Sequence, residues 1–286
     1  MVIILSTSPG TRMIFDLHTH TRHSDGELGP SALLARARAN GVDCLAITDH
    51  DTVAAFSDPT LTIPDNLLLM PGIEFSARWR KRGVHVVGLN VDLEHDVLQA
   101  AISRQARARK ERAEAIAGRL DRLGIDGSLE SVEEMAAGGT IGRPHFARFL
   151  VEQGHVKDVK QAFAKFLGAG KPGDVKNVWP DISEVVQWIL DAGGVPVLAH
   201  PAKYKLTRTK LRELTADFKG AGGKSIEVVC GKQTPDVTAK LAELAGDADL
   251  LASCGSDFHR VDMSWSDTGR FPPLPTNCRP VWDAWQ

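Results

Sequence analysis

Ten histidines are spread through this 286-residue chain, and four of them, His18, His20, His50 and His259, stand close to an aspartate at the end of an apolar run. The first run closes in Asp16-Leu17-His18-Thr19-His20, with Asp25 on the loop that follows. In an extended chain residues i and i+2 share a face, so both imidazoles can reach one ion. A second run ends in Thr48-Asp49-His50-Asp51 and a third near Glu74. A later run ends in His200-Pro201, and the last in Ser256-Asp257-Phe258-His259. Neutral imidazole combined with carboxylate suits manganese, iron or zinc better than calcium or magnesium.

Each group needs a strand to carry it. The apolar, β-rich runs are Ile14 to Leu17, Cys44 to Thr48, Leu67 to Phe75, His85 to Val91, Val195 to Ala199, Ile226 to Val229 and Leu250 to Ser253. Helical periodicity separates several of them, the βαβ pattern of an α/β barrel whose strand ends gather catalytic groups on one rim. After Pro30, Ser31 is positioned to cap a helix that runs through Asn40 and stops at Gly41. His85 opens its run instead of closing it. The linker Trp79-Arg80-Lys81-Arg82-Gly83 reads as a hairpin turn, so the His85 strand runs antiparallel and its start returns to the rim of Glu74. From Glu94 to Gly170 only helix-like pieces occur, at Glu130 to Ala137, His145 to Gln153 and Val159 to Leu167, after a long polar one. The expected organisation is an N-terminal extension (1–12), a first barrel part (13–93), a helical insertion (94–175), and a second barrel part (176–286) ending in a proline-rich surface wrap from Arg270 to Pro280.

Composition removes other classes. Lys plus Arg is 34 against 36 for Asp plus Glu, a formal net charge of -2, which argues against a protein held to duplex DNA or an anionic membrane by bulk charge. No run of about 18 apolar residues exists, so no helix is expected to span a bilayer. Cys44, Cys230, Cys254 and Cys278 are far apart with no CxxC spacing, and read as reduced thiols of a cytoplasmic protein. Nothing suggests an obligate protein partner.

The ordered motifs resemble a known family. Phe15-Asp16-Leu17-His18-Thr19-His20, Ser24-Asp25-Gly26, Ile47-Thr48-Asp49-His50-Asp51, Gly72-Ile73-Glu74, the His85 strand, Ala199-His200-Pro201 and Gly255-Ser256-Asp257-Phe258-His259 are similar to those of PHP (polymerase and histidinol phosphatase) metal-dependent phosphoesterases. The resemblance implies a distorted seven-stranded barrel holding three ions, most simply manganese, with iron or zinc as alternatives. It places His18, His20, Glu74 and Asp257 around one ion, Glu74, His85 and His200 around a second, and Asp25, His50 and His259 around a third. Glu74, Asp257 and His200 would be catalytic, and Asp49 and Asp51 would orient ligand imidazoles. Three divalent ions, three carboxylates and one bridging hydroxide leave two positive charges, the match for a phosphoryl group.

Ile141-Gly142-Arg143-Pro144-His145-Phe146-Ala147-Arg148 and Gly170-Lys171-Pro172-Gly173 resemble one branch, that of nucleoside 3′,5′-bisphosphate phosphatases and 5′→3′ exoribonucleases of the RNase AM type. Arg143, His145, Arg148 and Lys171 become the expected substrate-binding residues, with Pro144 suited to the first turn of a helix whose free N–H groups attract anions. The implied activity is release of the 3′-phosphate from a nucleoside 3′,5′-bisphosphate, with action on short 5′-phosphorylated RNA. The alternatives are an exoribonuclease first, or a histidinol phosphate phosphatase. Gly168-Ala169-Gly170-Lys171 is not a P-loop, because Lys165 and Pro172 stand where glycine and Ser/Thr are required. The basic run Arg104 to Arg112, interleaved with Glu111, reads as a solvated helix face, and His23, His95 and His155 as surface groups.

Overall fold

Residues 13–176 and 178–285 are described by the computed structural model, so the expected extension at 1–12 lies outside the described residues. The seven strands are β1 (Phe15–Asp16), β2 (Cys44–Ile47), β3 (Leu68–Trp79), β4 (Arg82–Leu89), β5 (Val195–Leu198), β6 (Ser225–Cys230) and β7 (Leu251–Gly255), arranged in that order in one sheet. Pairing is parallel from β1 to β3, antiparallel on both sides of β4, and parallel again from β5 to β7. The sheet curls until its edges meet. Leu17 N–H donates to Cys254 O at 3.0 Å, and Asp257 N–H to His18 O at 2.8 Å, giving a nearly closed barrel. Gly255 makes that approach possible, since a Cβ there would stand 2.4 Å from the Cβ of His18.

The β3–β4 hairpin is as the linker predicts, with Ser76 paired to His85 and Trp79 to Arg82. All four residues of β2 and of β5 are buried, as strands covered on both faces must be. Helices α1 (Pro30–Ala39), α6 (Ile182–Asp191), α7 (Arg208–Gly220) and α8 (Pro235–Asp247) cover the barrel. Ser31 does not cap α1. Gly29 takes that position, Pro30 occupies the first turn, and the Ser31 hydroxyl donates to Thr60 O instead.

Between β4 and α6 lie α2 (Asp96–Asp121), α3 (Ser128–Ala136), α4 (Arg143–Glu152) and α5 (Val159–Ala162), followed by one wide turn at Phe163–Leu167. They bury an apolar cluster of their own, including Ile116, Leu120, Val132, Phe146, Leu150 and Leu167. His95 caps α2, its Nδ1 accepting from Val97 N–H. The basic run of α2 is only partly solvated. Arg104, Arg107 and Lys110 are exposed, whereas Gln105, Arg109 and Arg112 recur at i, i+4 and i+7 and form a buried stripe. The C-terminal residues cross β7, where Pro280 bridges to Ala252, and Trp282 stacks on Phe15 with ring centroids 4.0 Å apart.

Candidate metal centre

Five histidines surround one carboxylate. Glu74, on β3, is fully buried. Its Oε1 lies 2.9 Å from His200 Nε2, 3.0 Å from His85 Nδ1 and 3.5 Å from His18 Nε2. Its Oε2 lies 2.8 Å from His50 Nδ1 and 3.4 Å from His20 Nε2. Asp257 Oδ1 stands 3.3 Å from His20 and 3.5 Å from His18. On the far side, Asp25 Oδ1 is 3.2 Å from His259 Nε2, and Oδ2 is 3.7 Å from His50 Nε2. All nine side chains expected to hold metal meet at one barrel rim.

These atoms sit close without satisfying one another. His20 Nδ1, Asp25 Oδ1, His50 Nδ1, Glu74 Oε2 and His200 Nδ1 are all buried without a hydrogen-bond partner, although some neighbours are within 3 Å. Buried polar atoms left this way are costly unless something else binds them. His18 Nε2 and His20 Nε2 face each other at 3.1 Å, an arrangement that suits a shared cation. Among the described residues three groups have ligand atoms near enough to hold an ion: His20, Asp25, His50 and His259; His18, His20 and Glu74; and His50, Glu74 and His85. The donor set therefore fits divalent metal, with His20, His50 and Glu74 each shared by two of the groups.

Charge supports this. Burial pushes Glu74 upward, but His50, His85 and His18 outweigh it and hold the carboxyl well below its usual range. Asp25 and Asp257 behave likewise, against His259 and His50 in the first case and Lys203 and His18 in the second. Burial lowers His20 to about 3 and His85 to about 4, keeping both imidazoles neutral and able to donate a lone pair. His259 moves the other way, to about 9, because Asp25 and Asp257 overcome its burial.

Two expected orienting residues do something else. Asp49 accepts from Thr21 N–H at 2.7 Å and from the Thr21 and Ser24 hydroxyls, so it shapes the loop between His20 and Asp25. Asp51 accepts from Ser76 N–H, Gln105 and Arg109, tying the rim to α2. The imidazole is oriented by Glu227, which sequence reasoning passed over. Its Oε1 lies 3.1 Å from His18 Nδ1, and its Oε2 accepts His200 N–H at 2.6 Å. A lone glutamate within the apolar run Ser225-Ile226-Glu227-Val228-Val229 was the available signal. Lys203, also unforeseen, reaches Asp257 Oδ2.

A cavity of about 820 Å³ opens beside the centre, with Asp25, His200, Asp257 and His259 among its lining residues. Arg148 and Phe163 from the helical part, and Lys203, Arg260 and Trp265 from the barrel, line it too. Of the four expected substrate residues, Arg148 alone is among the residues that line the cavity. Lys171 is exposed on the loop after Phe163–Leu167. His145 is buried, its Nδ1 accepting from Gly142 N–H at 3.1 Å. Arg143 donates to Leu167 O and lies 5.8 Å from the centre of the Phe163 ring. His23 is paired with Asp58 at 2.8 Å.

The sequence profile of the PHP domain matches residues 16–194. The chain belongs to the PHP domain family. It is 41% identical over 277 residues to the 5′-3′ exoribonuclease Rnm of Escherichia coli, covering 96% of this chain and 94% of that protein. It is 38% identical over 269 residues to the 3′,5′-nucleoside bisphosphate phosphatase of Chromobacterium violaceum, covering 93% and 94%. A solved structure of an amidohydrolase from Chromobacterium violaceum, with bound sulfate and no metal, superposes with a TM-score of 0.87 at 38% identity, over 95% of each chain. No helix among the described residues is long and apolar enough to cross a membrane.

Proposed function

We propose that this chain is a metal-dependent phosphoesterase that removes the 3′-phosphate of nucleoside 3′,5′-bisphosphates and also acts on short 5′-phosphorylated RNA. The observation that carries the reading is the convergence of nine His, Asp and Glu side chains, with unpartnered buried atoms, on one edge of a nucleotide-sized cavity. The relatives named for the two activities supply the substrate class.

We assign His18, His20, Asp25, His50, Glu74, His85, His200, Asp257 and His259 to three divalent ions, manganese first, with iron or zinc as alternatives. Such ions supply the positive charge a transferring phosphoryl group needs and acidify a water beside it. The residues do the rest. Glu74 faces five imidazoles and so fixes the spacing of the centre, while Asp257 links it to Lys203. Arg148 offers a fork of donors to substrate phosphate in the cavity. The four cysteines are free thiols, in keeping with a cytoplasmic enzyme.

The exoribonuclease reading has its own support, since about 820 Å³ lies toward the upper end of small-ligand pockets and leaves room for more than one nucleotide. Comparing kcat/KM for pAp, 5′-phosphorylated oligoribonucleotides and histidinol phosphate with Mn²⁺ tests the assignment. A preference for pAp supports the proposal and a preference for oligoribonucleotides the second reading. Preference for histidinol phosphate overturns both.

A further inference from the structure

The cavity beside the metal centre has two walls of different origin, and each carries an aromatic face. Phe163 comes from the helical part, Trp265 from the segment that follows β7. Trp265 is 59% exposed, more than any other large apolar side chain among the described residues. Its backbone is nevertheless anchored. Trp265 O accepts from Lys232 N–H at 2.7 Å, and Ser266 N–H donates to Met263 O at 3.0 Å. Gly231, at φ +57°, packs so closely that a Cβ there would stand 2.7 Å from Trp265 O. The same glycine donates its N–H to Gly255 O, two residues before Asp257. The indole is therefore an open ring on a fixed support, tied to the rim that presents Asp257. Beside it, Ser266 is 7% exposed and lines the cavity, and its Oγ is buried without a hydrogen-bond partner. A hydroxyl left this way is costly unless something else binds it.

The charges on this side suit a polyanion. Of the lining cations, Lys203 is bound to Asp257 and Arg260 to Asp262. Arg148 and Lys232 are exposed and form no ion pair among the described residues. Of the lining acids, Asp25 and Asp257 face the centre and Glu27 accepts from Val261 N–H, which leaves Glu152. Arg109 and Arg112, whose guanidiniums lie 5.3 Å from the centre of the Trp179 ring, are not among the lining residues.

A phosphate monoester carries an organic group on one side only, whereas a phosphodiester within RNA carries a nucleoside on each. Two aromatic faces in one cavity at the edge of the centre suit the diester, one for each base. Stacking of this kind tolerates any sequence, because every base has a π-face. Exposure decides which face takes which base. Phe163 is half-buried and has the Arg143 guanidinium over its ring, 5.8 Å from the centre. The open wall is that of Trp265 and Lys232, and a chain of unfixed length must leave through an open wall.

We propose that Trp265 stacks the base of the nucleotide that follows the cleaved bond in an RNA substrate, with Lys232 placed for the next phosphate and Ser266 Oγ for a polar atom of that nucleotide. This deepens the RNA part of the function proposed above and rests on it.

The test compares cleavage of pAp with that of the first bond of pApA and of pApApA, all with Mn²⁺. Trp265→Ala should lower the ratio of kcat/KM for pApA over pAp about ten- to a hundred-fold, and Trp265→Phe, which keeps a ring, should recover most of it. Lys232→Ala should lower the ratio for pApApA over pApA, since only the longer chain has a phosphate beyond the second base. An unchanged pApA to pAp ratio in Trp265→Ala would overturn the proposal, and an unchanged pApApA to pApA ratio in Lys232→Ala would strike Lys232 from the site. If the wild type hydrolyses neither oligonucleotide, the RNA part of the proposed function falls, and binding of fluorescein-labelled oligoadenylate decides the site. Affinity weakened about tenfold or more in Trp265→Ala keeps the stacking face. Equal affinities, or no binding by the wild type, overturn it.

Discussion

Replacing Glu227 by glutamine tests whether a residue outside the nine controls the centre. The carboxylate holds two donors at once, His18 Nδ1–H at 3.1 Å and His200 N–H at 2.6 Å, in a site that excludes solvent. Glutamine has nearly the same shape but only one acceptor oxygen. If its NH₂ faces His200, two donors meet head-on, and the strained backbone of His200, at φ +27°, loses its anchor. If its NH₂ faces His18 instead, Nδ1 must accept, and the imidazole proton moves to Nε2. That atom points toward His20 and Glu74, and once protonated it has no lone pair for a metal.

Either outcome damages the centre. Hydrogen bonds to a charged group contribute roughly 1.5–3 kcal/mol each, and loss of an outer partner of a ligand histidine typically weakens metal binding by about ten- to a hundred-fold. Glu227→Gln should therefore raise the apparent Mn²⁺ dissociation constant by about that factor, measured by chelator competition. Activity should be low at limiting Mn²⁺ and partly restored at high Mn²⁺. Wild-type manganese affinity together with wild-type activity in Glu227→Gln would refute the reasoning, because neither geometry of the amide leaves both contacts intact.

Glu74→Ala should lose more bound metal by elemental analysis than His50→Ala, since Glu74 faces five of the imidazoles; equal losses would contradict its bridging place. Metal uptake should strengthen as pH rises. His259, raised to about 9, holds a proton in the metal-free protein, and that proton must leave before the ring can ligate. Affinity should increase about tenfold per pH unit for each such proton between about 6.5 and about 9, with proton release seen by calorimetry in different buffers. A flat profile would count against it. The stability of the metal-free protein should show the opposite slope from this group, because the raised His259 stabilises the fold below its unfolded value of 6.5 and loses that effect as pH climbs through about 9. Asp51→Ala leaves Arg109 buried at 7% exposure without its carboxylate, and should cost about 3–5 kcal/mol in urea unfolding. A loss under about 1 kcal/mol would place that pair with ordinary surface bridges.

What could be read in advance depended on how locally it was encoded. The strand ends announced themselves, because an HxH pair or an Asp-His doublet beside an apolar run carries its geometry within a few residues. The hairpin that returns His85 to Glu74 was equally local, set by the four polar or turn-forming residues Arg80 to Gly83. Ser31 misled for a local reason as well, since Pro30 competes for the same first turn and wins. The partners of Asp49 and Asp51 were not legible. Both lie among catalytic-looking neighbours, yet Asp51 is used by Arg109, 58 positions away, on a helix whose buried face is polar. A stripe of Gln105, Arg109 and Arg112 carries no hydrophobic signal, so periodicity alone assigns it to solvent. Its burial follows from the carboxylate and ring it meets in space, which a single sequence does not display.

The backbone at the rim explains why these particular residue types close the strands. Asp51, His200 and Asp257 all take positive φ, at +55°, +27° and +53°, just past the ends of β2, β5 and β7. Glycine would adopt that conformation without penalty, whereas other residues pay roughly 1–3 kcal/mol each. Glycine, however, would delete an imidazole beside Glu74, a carboxylate beside His18 and His20, and the acceptor of Arg109. Each amide is held in compensation: Asp51 N–H donates to Glu74 O, His200 N–H to Glu227, and Asp257 N–H to His18 O. Two of those three acceptors belong to residues that themselves face the centre, and the third orients His18. The same contacts that hold the turns therefore align the donor atoms, so a substitution that relaxes one turn should displace groups contributed by another strand.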